Sequence, residues 1–225
     1  MSFLVAIDGP AGSGKGTIAK TIAKKLNFIS IDTGAMYRCV ALYFLEHKID
    51  LNNQEQVANA LQQIQVDLQY DDQEHPKVLL NGADVTQAIR EKTVSACVSA
   101  VSSIREVRLK LIELQREMAK GKKVIMEGRD ITTVVFPQAD LKIYMDAAVE
   151  TRAQRRYEEM KVKDPHISYE YVLESIKKRD KMDREKSFGA LKMAPNAILI
   201  DTTHLTIEET LQKMIDLIEE KLSQK

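Results

Sequence analysis

With 225 residues, 44% of them hydrophobic, the chain is long enough to bury one substantial core but too short for two enzymes. Its 33 Lys and Arg balance 33 Asp and Glu, so no global field draws it to nucleic acid or to an anionic membrane. No apolar run approaches the roughly 18 residues of a membrane span, and no basic, apolar, small-residue leader opens the sequence, so a cytoplasmic location is expected.

The first element is an apolar run, Phe3-Leu4-Val5-Ala6-Ile7, which reads as a buried strand. It leads into Gly9-Pro10-Ala11-Gly12-Ser13-Gly14-Lys15-Gly16, where four of the nine glycines crowd one turn. Ile18, Ile22 and Leu26, with Ala19 and Ala23 beside them, predict a helix immediately after. Glycine lets the backbone take φ > 0 and turn its N–H groups inward, the helix aims its positive dipole end at the same place, and Lys15 adds a cation. This is a phosphate cradle, and the expected ligand is a nucleoside triphosphate. The hydroxyl that commonly follows the lysine and binds Mg²⁺ is replaced by Gly16 and arrives one residue later, at Thr17. That variant resembles the nucleoside monophosphate kinases. With no Asn-Lys-x-Asp segment to read guanine, a GTPase switch is the weaker reading.

Further along, Ile64-Gln65-Val66-Asp67-Leu68-Gln69-Tyr70 alternates with period two, a polar turn follows, and Lys77-Val78-Leu79-Leu80 returns, which predicts an inserted antiparallel hairpin. Residues 104 to 119 predict a helix with Ile104, Val107, Leu111, Leu114 and Met118 inward. The strand Val124-Ile125-Met126 delivers Glu127-Gly128-Arg129-Asp130, and a further strand covers 141 to 145. Residues 149 to 187 are highly charged and read as two helices joined near Asp164-Pro165-His166, a candidate lid. A strand at 197 to 200 and a helix at 206 to 222, capped by Thr206, close the chain. Apolar runs separated by helical patterns imply a parallel sheet with crossover helices, whose function collects at the strands' carboxyl ends. Cys39 and Cys97 read as packed, reduced thiols, so neither disulfide nor zinc is expected. His47, His75, His166 and His204 fall in surface turns or polar segments, so no histidine is expected in catalysis.

Arginines 38, 108, 129, 152, 155, 156, 179 and 184 mostly follow strands or lie on the candidate lid. Phosphoryl transfer uses such groups, because it depends on positioning and on fixed donors to the charged equatorial oxygens, which guanidinium grips bidentately. Arg152, Arg155 and Arg156 stand at i, i+3 and i+4 and so share a helix face, with Glu158 and Glu159 as available partners.

Asp32-Thr33-Gly34-Ala35-Met36-Tyr37-Arg38, Leu80-Asn81-Gly82-x-Asp84-Val85-Thr86, Val98-Ser99 leading to Val107-Arg108, Gly128-Arg129-Asp130 and Arg179-Asp180-x-x-Asp183 together resemble the bacterial cytidylate kinase family, nearly end to end. The resemblance implies an α/β P-loop NTPase three-layer fold with a central parallel sheet, an inserted monophosphate-binding lobe and a short helical lid. It implies one domain with core 1–60, 97–148 and 185–225, insertion 61–96 and lid 149–184. The implied reaction moves the γ-phosphate of ATP to CMP or dCMP. Gly9, Pro10, Ala11, Gly12, Ser13, Gly14, Lys15, Gly16 and Thr17 would hold ATP, with Mg²⁺ arriving on the nucleotide near Thr17 and no tight protein site for it. Arg38 and Arg129 would face the acceptor phosphate, Thr33, Ser99, Arg108 and Asp130 the cytosine, and Arg179 and Asp183 the ribose. Lys15, Arg129, Arg152 and Arg179 are the expected catalytic cations. Lys186 stands where the family usually has an arginine, with Arg184 nearby as a substitute, and Thr33 replaces a serine. The expected partners are small molecules only, with no nucleic acid or membrane, and the chain is expected to be a monomer.

Overall fold

The computed structural model describes residues 2–70, 76–162 and 164–224. In chain order the elements begin β1 (Phe3–Asp8), α1 (Lys15–Leu26), β2 (Ile29–Asp32), α2 (Thr33–Glu46), α3 (Gln54–Gln62), β3 (Val66–Tyr70), β4 (Pro76–Leu80) and β5 (Ala83–Asp84). They continue with α4 (Lys92–Val101), α5 (Arg105–Ala119), β6 (Lys123–Gly128), β7 (Leu141–Asp146), α6 (Val149–Lys161), α7 (Tyr169–Arg184), β8 (Ile198–Asp201) and α8 (Ile207–Ser223). A 3-10 turn covers Ala88–Arg90 and a π-helical turn covers Ile131–Val135. The chain folds as two compact units, Met1–Ser30 with Ala119–Lys225, and Ile31–Met118.

A five-stranded sheet has the order β2-β6-β1-β7-β8, and its strands β6, β1, β7 and β8 lie in the first unit. β1 pairs in parallel with β6 and β7, and β7 in parallel with β8, as expected for strands joined by crossover helices. β1 and β6 are nearly continuous apolar runs because a central parallel strand is covered on both faces. Phe3, Val5 and Ile7 of β1 pack with Ile18 and Ile22 of α1, Ile143 of β7, and Met214 and Ile218 of α8 in one core. The helix predicted from Thr206 is α8, and its start is a full capping box: the Thr206 hydroxyl accepts from the Glu209 N–H, and the Glu209 carboxylate accepts from the Thr206 N–H. The charged stretch is the helix pair α6 and α7, which buries a small core of Ala153, Val172 and Ile176, flanked by Tyr169 and Leu173.

In the second unit, the hairpin is β3 and β4, with Val66 opposite Leu80. Its turn, including His75, lies outside the described residues. Asn81 and Gly82 then turn the chain into β5, which pairs with β4 to make a three-stranded antiparallel sheet. α2 and α4 bury Met36, Val40, Val94 and Val98. Along residues 104–119, of which α5 begins at Arg105, Val107 and Leu111 are buried as expected, whereas Ile104, Leu114 and Met118 are only half-buried and Arg108 is buried instead.

Two strands escape the pattern reading. β2 is four residues long, with Ile29 exposed and Ser30 buried, so it shows neither a run nor an apolar-in alternation. β5 spans only two exposed residues.

Candidate active site

β1 ends at Asp8 and α1 begins at Lys15, so residues 9–14 form the turn between strand and helix. Gly9 is required by close approach: a Cβ there would lie 1.9 Å from the Met145 carbonyl oxygen. Gly14 caps α1 with φ 91°, a left-handed conformation that other residues adopt only under strain. A Cβ on Gly16 would stand 3.0 Å from Glu127 Oε1. The place where the common loop carries its hydroxyl is therefore beside a carboxylate delivered by β6, while Thr17 is exposed on the first turn of α1.

Lys15 is only 4% exposed and folds back on its own loop, its Nζ donating to the Pro10 carbonyl at 2.8 Å and to Ser13 Oγ at 3.2 Å. Burial lowers its pKa to about 7, assisted by Arg129 and Arg179 and opposed by Glu127 and Asp8. Those four neighbours come from β1, β6, the segment after β6, and α7, so distant parts of the chain converge on the lysine.

Arg129 Nε donates to Asp183 Oδ2 at 2.7 Å, and Lys186 Nζ donates to Asp183 Oδ1 at 3.0 Å. Burial opposes ionisation of Asp183, but Arg129, Lys186 and Arg179 outweigh it and hold the carboxyl at about 2. Lys186 thus joins the Arg129 cluster, while Arg184 is exposed. Asp130 is buried beside Arg129.

Arg152 is 3% exposed and reaches in three directions: Nε to the Ala147 carbonyl at 2.8 Å, one terminal nitrogen to the Ala11 carbonyl at 3.1 Å, and the other to Asp180 Oδ2 at 2.7 Å. It ties the phosphate loop to α7. Arg155 instead donates to the Thr202 carbonyl and hydroxyl, and Arg156 is exposed and paired with Glu159. Spacing placed the three on one face of α6, but each meets a different partner.

In the second unit, Asp32 caps α2 by accepting from the Ala35 N–H, and its other oxygen faces Arg38 at 3.4 Å. Thr33 is buried at the start of α2 and Ser99 half-buried on α4. The Arg108 guanidinium is 2% exposed, donates to the Ser102 carbonyl and lies 5.9 Å from the centre of the Tyr37 ring.

Two further carboxylates of the first unit complete its own set of charged side chains. Asp8 is fully buried and accepts from the N–H groups of Ile131 and Thr132 and from the Thr132 hydroxyl. Asp180, inside the Arg179-Asp180-x-x-Asp183 motif, holds Arg152. The only sequence signal for Asp8 is a carboxylate closing a buried apolar strand, and for Asp180 its place one residue from Arg179.

A family model for cytidylate kinase matches residues 5–220. The cytidylate kinase of Fusobacterium nucleatum is 50% identical over 210 residues, covering 93% of this chain and 94% of the relative. That of Caldicellulosiruptor saccharolyticus is 48% identical over 215 residues, covering 95% and 94%. Among solved structures, an uncharacterised protein from Eubacterium ventriosum aligns with a TM-score of 0.54 at 12% identity, over 97% of this chain and 99% of that one, a likeness of fold alone. A glycine-rich loop between the central parallel strand and α1 makes this a P-loop α/β fold, and with the match over nearly its whole length the chain belongs to the cytidylate kinase family.

Proposed function

We propose that this protein transfers the γ-phosphate of ATP to CMP or dCMP, giving ADP and CDP or dCDP. The observation that carries the reading is the family match from residue 5 to residue 220, which includes the phosphate loop and every arginine assigned a role. The loop Gly9–Thr17 cradles the triphosphate with backbone N–H groups and the positive end of α1. Lys15, released from the Pro10 carbonyl, swings to the phosphates. An oxygen of the acceptor phosphate attacks the γ-phosphorus in line, and the bond to the β–γ bridging oxygen breaks as ADP leaves. That nucleophile is already anionic near neutral pH, so no general base is needed.

Arg129 and Arg38 hold the acceptor phosphate, with Arg179 and Asp183 at the ribose and Lys186 steadying Asp183. Thr33, Ser99, Arg108 and Asp130 read cytosine, which offers an amino donor beside two acceptors. Uracil would set its own acceptor against the carboxylate, and an unpaired buried polar group is a strong basis for rejection. Arg152 acts by bracing the Ala11 carbonyl of the loop from α6.

Mg²⁺ fits as a companion of ATP. Thr17 and Glu127 provide oxygen donors beside the loop, and among the described residues no group of three or more His, Cys, Asp or Glu is placed to hold a metal by itself. Mg²⁺ keeps several waters and takes one or two protein oxygens plus phosphates, so those two residues would suffice. Once bound, it neutralises developing phosphate charge. We also propose that the chain works as a cytoplasmic monomer on small-molecule substrates.

The test is a coupled ADP-release assay across CMP, dCMP, UMP, AMP and GMP. Turnover should favour CMP and dCMP. No turnover with CMP beside good turnover with AMP would end the proposal.

A further inference from the structure

Asp8 closes β1 one residue before the phosphate loop, and its carboxylate is fully buried. Oδ1 accepts from the Ile131 N–H at 2.8 Å, and Oδ2 accepts from the Thr132 N–H at 2.8 Å and from the Thr132 hydroxyl at 2.5 Å. These donors open the π-helical turn Ile131–Val135, whose N-cap residue is Asp130. An aspartate at that position ordinarily caps its own helix. Here the Asp130 side chain makes no cap bond, while its carbonyl accepts from the Val134 and Val135 N–H groups. A carboxylate more than a hundred residues away does the capping instead, which keeps the Asp130 side chain out of it.

The sheet does not account for this arrangement. Parallel pairing of β1 with β6 ends with Asp8 opposite Gly128, so Arg129 and Asp130 lie beyond the last registered pair. Burying a carboxylate is costly unless it is fully hydrogen-bonded, and all the bonds seen on this one go to the residues directly after Arg129 and Asp130.

We propose that Asp8 is a positioning residue, which through Ile131 and Thr132 sets where Arg129 and Asp130 stand relative to the phosphate loop. The role rests on the proposed phosphoryl transfer, in which the loop holds the donor and Arg129 and Asp130 the acceptor. Misplacing a catalytic group by about 1 Å costs on the order of a hundredfold in rate, so the clamp acts on kcat without touching either nucleotide.

Thr132→Val removes one donor to Asp8 and keeps the side chain's shape, Thr132→Ser retains the donor, and Arg129→Met removes the group being positioned. Each variant, and the Thr132→Val/Arg129→Met double variant, is assayed for kcat, for KM of CMP and of ATP, and for thermal unfolding by circular dichroism. Thr132→Val should lower kcat roughly ten- to a hundredfold with KM for ATP unchanged, and Thr132→Ser should restore it. In the Arg129→Met background, Thr132→Val should cost nothing further in kcat, because the two act on the rate as one unit, while displacement of Asp130 still raises KM for CMP. If Thr132→Val does not fold, Thr132→Cys, a weak donor of similar size, carries the same expectations. Unchanged kcat with only a lower unfolding temperature, or an equal loss in the Arg129→Met background, overturns the role of Asp8. No CMP turnover by the unmodified chain overturns the proposed function instead.

Discussion

Replacing Asp183 with Asn tests the charge cluster around Arg129. The carboxylate is 4% exposed, with Arg129 Nε at 2.7 Å on one oxygen and Lys186 Nζ at 3.0 Å on the other. Burial disfavours its charged form, yet Arg129, Lys186 and Arg179 prevail and bring the pKa from 3.8 to about 2. That drop corresponds to about 2 kcal/mol of folding stability. Because the folded pKa is the lower one, the contribution is complete above about pH 4 and disappears as the pH falls through about 2. Asn keeps the shape but leaves two cations facing a neutral amide, so at neutral pH the variant should lose about 2 to 4 kcal/mol. Urea unfolding, followed by far-ultraviolet circular dichroism at a series of pH values, reads both effects. The unmodified protein should lose stability steeply between about pH 4 and 2, and the variant should show a shallower slope there. Parallel slopes, or a variant within about 0.5 kcal/mol of the unmodified protein at neutral pH, would show that the cluster does not hold Asp183 ionised.

Two more outcomes follow from the phosphate loop. Lys15 titrates at about 7 in the free protein, and a bound triphosphate should raise that value, so ATP binding at about pH 8 takes up protons. Calorimetry in two buffers of different ionisation heat measures the uptake, and identical heats would rule out a neutral Lys15. Gly9→Ala drives a methyl into the Met145 carbonyl, a backbone atom that cannot rotate away. Thermal unfolding and ATP titration should show a loss of about 3 kcal/mol or more and a damaged nucleotide site, whereas native-like values for both would mean the loop tolerates a side chain there.

Much of this protein is written locally. Phe3 to Ile7 are apolar without interruption, as a strand covered on both faces must be, and the glycines after them belong to a turn whose backbone runs against the Met145 carbonyl. Thr206 and Glu209 cap α8 through bonds spanning three residues, which any sequence reading can find. β2 stayed hidden because four residues with an exposed isoleucine and a buried serine carry no periodicity. Arg152 was readable as a helix-face cation, but its partner Asp180 sits on the next helix and its second contact is a loop carbonyl 141 residues away.

The choice between Lys186 and Arg184 shows where local reading stops. Both follow Asp183 closely, but α7 ends at Arg184, and the chain beyond it folds back to bring Lys186 onto the carboxylate while Arg184 points to solvent. The parallel α/β architecture and the phosphate loop can be read from the chain alone, because spacing, glycine geometry and apolar runs act over a few residues, and the cytidylate kinase family shows in the resemblance of its ordered motifs. Which partners the buried charges meet follows from the packing of distant segments: Asp8 with the turn after Asp130, Asp183 with Arg129 and Lys186, and Arg152 with Asp180. Such pairings depend on burial and on contacts between distant segments, and no local pattern encodes either.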